Sequence, residues 1–389
     1  MGVWTESVTL AKRVVRSAAR RRAWLFEGLD GRKLRTLLAN LLAYATRRSR
    51  AGRTPSVLKV DISPLCALQC PVCLHADPNS AGHGRLATQR FGKADRMEVD
   101  PFRSLVEATD GRVLAVSLYY FGDPLMHPRL NEIGAIASHA GMNVHITTHF
   151  SYALSDDRIA ALARSGISHV TVALDGSTPE VYGSTRIRGR FDWVVSNLRR
   201  LCAVRRRDGR SHPVVEVQYV THAHHPAGEA ARVRALALEA GADIFTPITP
   251  YPFDNVTDED PELHDVVGPH PAGLMPRCHW PFTSMVVKFD GDVIPCCNFR
   301  TGSQYAEGAD PLAAGNVFET PLEEIWNGPA YRDMRRLASD PSAADRDPSL
   351  KCSFCYGCPA LYRRVRRAAP LLTEGSKDPT PAAGRRIAV

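Results

Sequence analysis

The chain has 389 residues, 44% hydrophobic and 23% charged, which supports a large core with ordinary surface charge. No stretch of 18 apolar residues occurs, and no short apolar region with a small-residue cleavage site opens the chain; this argues against a transmembrane helix and a secretory signal. The net charge of +8 is segregated, because residues 1–55 hold thirteen Lys/Arg against three Asp/Glu and the remainder is near −2. That basic segment reads as one or two helices with Leu34, Leu37, Leu38, Leu41, Leu42 and Ala45 as its apolar positions. The expectation is a helical extension packed on the body with its basic face in solvent. Membrane-surface or nucleic-acid contact is the weaker reading, since the arginines are not interleaved with aromatics.

Residues 57–62 (VLKVDI) read as a strand, and Ser63-Pro64 then opens a loop carrying Cys66-Ala-Leu-Gln-Cys70-Pro-Val-Cys73. Three thiolates in one C-x3-C-x2-C loop can hold three irons of a 4Fe-4S cube and leave the fourth iron open for chemistry. A zinc knuckle or buried thiols are the bland alternatives. A second strand, 113–121, ends in Phe121-Gly122-Asp123-Pro124. A helix over 128–140 stops at Gly141. A third strand, 143–148, ends in Thr147-Thr148-His149. Ser155 and the two aspartates after it can cap a helix that stops at Gly166. A fourth strand, 169–174, runs into Asp175-Gly176-Ser177-Thr178-Pro179-Glu180. A helix over 191–204, a fifth strand over 214–220, a helix closing at Gly241 and a sixth strand from Ile244 complete the series. Repeated βα units of this kind predict a parallel sheet. Residues 251–277 form a Pro/Asp/His-rich linker. Beyond it lie Cys278, a hairpin signal at Asp290-Gly291, Cys296-Cys297, and Cys352-x2-Cys355-x2-Cys358. Ten cysteines without a signal sequence point to metal ligation and not to disulfides. Cys202 reads as a core residue of its helix, and 363–389 as a basic, partly disordered tail.

The cysteine loop, the Gly-Asp-Pro strand end and the LDGSTPEVY stretch resemble the radical S-adenosylmethionine (radical SAM) superfamily, over roughly residues 56–360. The later cysteines resemble its SPASM/twitch extension. The resemblance implies an α/β fold: a partial (β/α)6 TIM-like barrel over 56–250, then a small SPASM/twitch iron–sulfur domain over 278–362. It implies a catalytic 4Fe-4S cluster on Cys66, Cys70 and Cys73 with an open iron that chelates S-adenosyl-L-methionine. Gly122, Asp123 and Pro124 stand where the family meets the methionine amino group. Thr147 and His149 end the next strand, Asp175 suits a ribose hydroxyl, and Arg186, with Arg188 as the fallback, suits the methionine carboxylate. An auxiliary 4Fe-4S cluster is expected on Cys278, Cys296, Cys352 and Cys355, with Cys358 competing for the fourth place. The implied activity is hydrogen abstraction by a 5′-deoxyadenosyl radical. The expected substrate is a small molecule of carbohydrate, aminocyclitol or nucleoside type, oxidised or rearranged in natural-product biosynthesis. Epimerisation or crosslinking of a ribosomally made peptide is the alternative, and a noncatalytic iron–sulfur carrier is the alternative of another class. A ferredoxin or flavodoxin is the expected electron donor, and nucleic acid is not expected as a partner.

Overall fold

The computed structural model describes residues 22–71, 73, 96–248, 276–296, 313–356, 358 and 361. Residues 1–21, nearly all of the linker, Cys297 and the tail lie outside the described residues. Strands β1 (Val57–Val60), β2 (Ala115–Ser117), β3 (Asn143–Thr148), β4 (His169–Ala173), β5 (Val214–Val220) and β6 (Ile244–Ile248) lie side by side in chain order, all parallel. The expected bounds of β3 and β5 match. β2 is shorter than expected, because the chain leaves the ladder after Ser117 to build the Gly-Asp-Pro turn.

The hairpin near residue 290 joins this sheet. β7 (Ser284–Val287) pairs parallel with β1, and β8 (Val293–Ile294) pairs antiparallel with β7. The sheet order is therefore β6-β5-β4-β3-β2-β1-β7-β8, open between its ends. An unclosed barrel leaves the β1 edge with unpaired N–H and C=O groups, and β7 satisfies them. The ladder extends past the strands, with Ser56 N–H donating to Thr283 O (2.9 Å) and Asp61 N–H to Val287 O (2.8 Å).

Helices α1 (Gly31–Ala45), α2 (Val99–Ala108), α3 (Leu130–His139), α4 (Asp156–Arg164), α5 (Pro179–Thr185), α6 (Phe191–Arg207) and α7 (Glu229–Glu239) surround the strands. Local chemistry sets their ends. Ser155 accepts from Arg158 N–H, and Thr178 accepts from Val181 N–H with Pro179 opening the helix. Gly166 takes φ +81° just after α4, a conformation that suits glycine at a helix stop. Short helices α8 (Trp280–Thr283), α9 (Leu322–Trp326), α10 (Pro329–Ser339) and α11 (Ala343–Arg346) complete the C-terminal region.

Alternate strand residues divide the sheet. Leu58, Val60, Val116, Val144, Ile146, Val170, Val172, Val215 and Val217 share one apolar core. Lys59, Ser117, His145, His169, Thr171 and Glu216 occupy the other parity at matched register. A closed (β/α) barrel fills that interior with branched apolar side chains, whereas here it is polar. His145 bonds Ser117 Oγ (2.7 Å) and Thr171 Oγ1 (2.9 Å), and His169 bonds Glu216 (2.9 Å). Trp24 stacks on His145 with ring centroids 5.0 Å apart.

α1 reverses the expectation drawn from its sequence. Its buried residues are Lys33, Thr36, Asn40 and Ala43. Leu34, Leu38, Leu41 and Leu42 face outward, at 46%, 56%, 43% and 53% exposure. The polar side is buried because it satisfies backbone groups that would otherwise be orphaned. Lys33 donates to Gly28 O and Gly141 O, and Asn40 donates to Thr54 O and Ser56 Oγ while accepting from Gly52 N–H. No described helix is long and apolar enough to cross a membrane.

Candidate metal and cofactor site

The cysteine loop follows β1. Cys70 is buried, and Cys66 and Cys73 are half-buried. The loop closes through Cys73 N–H to Cys70 O (2.9 Å), and Gln69 N–H anchors it to Ile187 O (3.1 Å). Burial raises the Cys66 thiol, with further contributions from Asp123, Cys73 and Cys70; burial likewise raises Cys70, partly offset by Arg186. Metal ligation by such thiols releases their protons.

The Gly-Asp-Pro turn lies flat against this loop. A Cβ on Gly122 would come 2.2 Å from Leu65 O and 2.4 Å from Ser63 O, so only glycine fits. Asp123 N–H donates to Leu65 O (2.8 Å). The Asp123 carboxylate, expected near the methionine amino group, is held in place by internal hydrogen bonds. It accepts from Leu125 N–H (2.9 Å), Thr148 Oγ1 (2.8 Å) and His149 N–H (2.8 Å). His149 Nδ1 accepts from Ser151 N–H (3.0 Å), and its Nε2 lies 3.4 Å from Asp123 without hydrogen-bonding it. Burial lowers the His149 pKa and keeps the ring neutral. Thr148 makes the carboxylate bond; Thr147, expected at the cofactor, is half-buried and in register with Thr171.

At the end of β4, Asp175 is buried and accepts from Val220 N–H (2.8 Å) and from Arg186 Nε (2.6 Å). Arg186 Nη1 in turn lies 3.9 Å from Cys70 Sγ. Burial opposes the Arg186 charge, but Asp175 and Cys70 more than compensate and hold its pKa above the usual value. Arg188 sits at φ +67° in the following turn. Sequence reasoning missed Thr148 and Tyr152. Tyr152 tilts over His149 (4.5 Å), and burial, then Asp123 and Cys66, raise its hydroxyl pKa. The only sequence signal for them was their place after a strand end.

Burial raises the Cys355 thiol well above its ordinary value, with Cys296, Cys278 and Cys358 as the next causes. Cys352 is exposed at the end of a 3-10 turn that buries Leu350 instead. Cys278, Cys355 and Cys358 pack against one apolar cluster, and Cys296 is close enough to Cys355 to influence its thiol. Cys202 is buried in α6, as expected of a core residue. Among the described residues no three His, Cys, Asp or Glu side chains converge on a single-ion site. A cube takes each thiolate on a different iron, which spaces sulfurs more widely than one tetrahedral ion does. Tyr120 Oη donates to Cys296 O (2.9 Å), so Tyr120–Gly122 bridge the two cysteine groups. Soft thiols in two enclosed groups fit iron–sulfur ligation.

An open parallel barrel with a three-cysteine loop at the C-terminal strand ends is the scaffold of a metallocluster enzyme. Residues 60–221 match the radical SAM superfamily, and residues 278–359 match an iron-sulfur cluster-binding domain, SPASM. The chain belongs to the radical SAM superfamily of enzymes. Its first domain brings a 4Fe-4S cluster and S-adenosylmethionine, and its second brings auxiliary iron–sulfur ligation. It is 22% identical to the AdoMet-dependent heme synthase of Methanosarcina barkeri over 77% of this chain and 88% of that one. It is 28% identical to the PqqA peptide cyclase of Ruegeria pomeroyi over 48% of this chain and 45% of that one. The chain spans less than half the length of the curated cyclases it matches. In fold it resembles Streptococcus suis SuiB, with a TM-score of 0.55 and 15% identity over 86% of this chain and 80% of that one.

Proposed function

We propose that the protein cleaves S-adenosylmethionine reductively and abstracts a hydrogen from a polar small molecule, for oxidation or redox rearrangement in natural-product biosynthesis. The observation that carries this is the convergence of the Cys66–Cys73 loop, the Gly122 turn and the Asp175–Arg186 pair at the C-terminal ends of β1, β2 and β4. When bound, the open-iron cluster and S-adenosylmethionine supply a 5′-deoxyadenosyl radical. Cys66, Cys70 and Cys73 hold that cluster. Arg186, charged and braced by Asp175, faces the methionine carboxylate. Asp123, braced by Thr148 and the His149 amide, would meet the methionine amino group. Cys278, Cys296, Cys355 and Cys358 hold one auxiliary 4Fe-4S cluster, closed by four ligands.

The polar inner face of the sheet supports a hydroxyl- or amine-rich substrate of carbohydrate, aminocyclitol or nucleoside type. Lys59 is half-buried there with its ammonium 4.1 Å from the Tyr119 ring centre. A peptide substrate is the second reading, supported by the match to a peptide cyclase. The division into 1–55, 56–250, 251–277, 278–362 and 363–389 is retained as functional units, although β7 belongs to the barrel sheet. A low-potential ferredoxin or flavodoxin and a reducing cytoplasm complete the proposal.

The test is anaerobic incubation of iron-reconstituted protein with S-adenosylmethionine and reductant, read as 5′-deoxyadenosine. Reconstitution should load roughly eight irons, and replacing Cys66, Cys70 and Cys73 by Ala should remove about half and abolish cleavage. Cleavage that survives in the triple variant overturns the proposal. Mass spectrometry of candidate metabolites and candidate peptides then separates the two substrate readings.

A further inference from the structure

The outward leucines of α1 have no cover among the described residues. Leu34, Leu38, Leu41 and Leu42 form one apolar stripe, and the preceding Phe26 and Leu29 are also exposed. Arg35 on this helix and Arg48 and Arg50 just beyond it are exposed and make no ion pair among the described residues. An apolar centre with a basic rim is the anatomy of a docking surface. The opposite side of the same helix reaches the second cysteine group. Ala43 and Tyr44 share a packed cluster with Cys278 and Phe282, and Tyr44 Oη donates to Pro276 O (3.0 Å).

We propose that the outward face of α1 docks an acidic one-electron carrier protein, of iron–sulfur or flavin type, above Cys278. The partner follows from three observations taken together. Residues 22–55 carry eight Lys/Arg against Glu27 and Asp30, a net of +6, which calls for an acidic partner and disfavours a second copy of this chain. The chain's own residues 1–21 carry five Lys/Arg and one Glu, the same sign as the rim. The helix lies directly over a proposed ligand of the auxiliary cluster, so one helix separates the docked carrier from that metal centre. A four-leucine patch fits the small interfaces of electron-transfer pairs, about 1,200 Å² or less. The electron count closes simply: the reduced carrier loses one electron and the cluster held in part by Cys278 gains it, with no proton or leaving group. The electron-transfer part rests on the auxiliary-ligand reading above, whereas docking does not.

The experiment uses full-length, iron-loaded protein and two probes, a purified acidic flavodoxin and a purified acidic plant-type ferredoxin. Affinity for at least one should fall about tenfold or more between low and moderate salt. Leu38→Glu/Leu42→Glu should weaken it at least tenfold, and Arg35→Glu by a smaller factor. Reduction of the protein's iron–sulfur absorbance by the reduced carrier should slow to match, while reduction by dithionite stays unchanged. Circular dichroism confirms that the exposed substitutions leave the fold intact. Unchanged affinity and reduction rate in the double variant overturn the proposal. So does loss in that variant of binding to vesicles of mixed phosphatidylserine and phosphatidylcholine with carrier binding intact, which assigns the face to an anionic membrane. Cys278→Ala separates the two layers: carrier binding should persist while iron falls. Full iron in that variant overturns the ligand reading alone.

Discussion

At the scale of single residues, Arg186 joins features far apart in the sequence. Its guanidinium spans from Asp175 at the end of β4 to Cys70 in the loop after β1. The sequence singled out all three residues, because each sits at a strand end or in a cysteine motif. Their mutual contact was not legible, since it depends on α5 turning Arg186 back towards the sheet. Arg186→Lys keeps a charge but loses the planar fork. It is expected to weaken S-adenosylmethionine binding to the iron-loaded protein at least tenfold while leaving iron content unchanged, checked by equilibrium binding and iron analysis. Equal affinity would show that the fork faces only Asp175. Asp61 had no sequence signal beyond its place in a strand, yet it is fully buried. Burial pushes its pKa up to about 7, against the opposing influence of the Phe121 amide, Lys288 and Lys59. The folded value exceeds the unfolded one, so folding favours the protonated form. That contribution is complete below about pH 4 and is lost as pH rises through about 7. Asp61→Asn should therefore leave stability unchanged near pH 4 and raise it at pH 8, by an amount on the order of 4 kcal/mol at most. Thermal unfolding at the two pH values decides, and a variant equally destabilised at both would refute the argument.

At the scale of elements, legibility followed chemistry that acts locally. β3 and β5 were readable to the residue because alternation and flanking turn residues agree. α2 and α5 were not, α5 because it spans only seven residues. The leucines of α1 were found, but periodicity reports that a helix has an apolar side and not where that side points. Backbone groups at Gly28, Thr54 and Gly141 needed partners, and Lys33 and Asn40 supplied them. The tightest junction between elements is Gly122 against the cysteine loop. Gly122→Ala must displace the backbone at Ser63–Leu65, with no flexible side chain to absorb the clash. The expected result is loss of the first cluster's iron and at least tenfold slower 5′-deoxyadenosine formation, with the Cys278 group still loaded. Spectroscopy of a variant in which the first cluster is inactivated supplies the reference. Normal activity in Gly122→Ala would mean that the turn yields more easily than its contacts indicate.

At the scale of the whole molecule, the barrel, the second cysteine group and the N-terminal segment share one framework. The sequence suggested three separable units, because the linker and the charge boundary are visible in composition. Pairing between distant segments is invisible there, and it is what unites them. β7 pairs with β1, Tyr120 reaches the Cys296 carbonyl, and Arg335 is buried among Pro281 O, Ser49 O and Trp326 O. The N-terminal segment contributes at both ends of this framework. Trp24 stacks on His145 in the polar interior, and Ala43 packs with Phe282 beside Cys278. Removing residues 1–50 therefore strips core contacts along with surface charge. Such a truncation is expected to lower the thermal midpoint by roughly 5–10 °C, since losing several buried contacts costs a few kcal/mol. It should also reduce loading of the auxiliary group. Removing only residues 1–21 spares every one of these contacts and should change neither. Thermal unfolding and iron analysis of the two truncations provide the comparison. If the longer deletion unfolds at the same temperature with full iron, the basic segment is an appendage, and the framework drawn here is wrong at its N-terminal side.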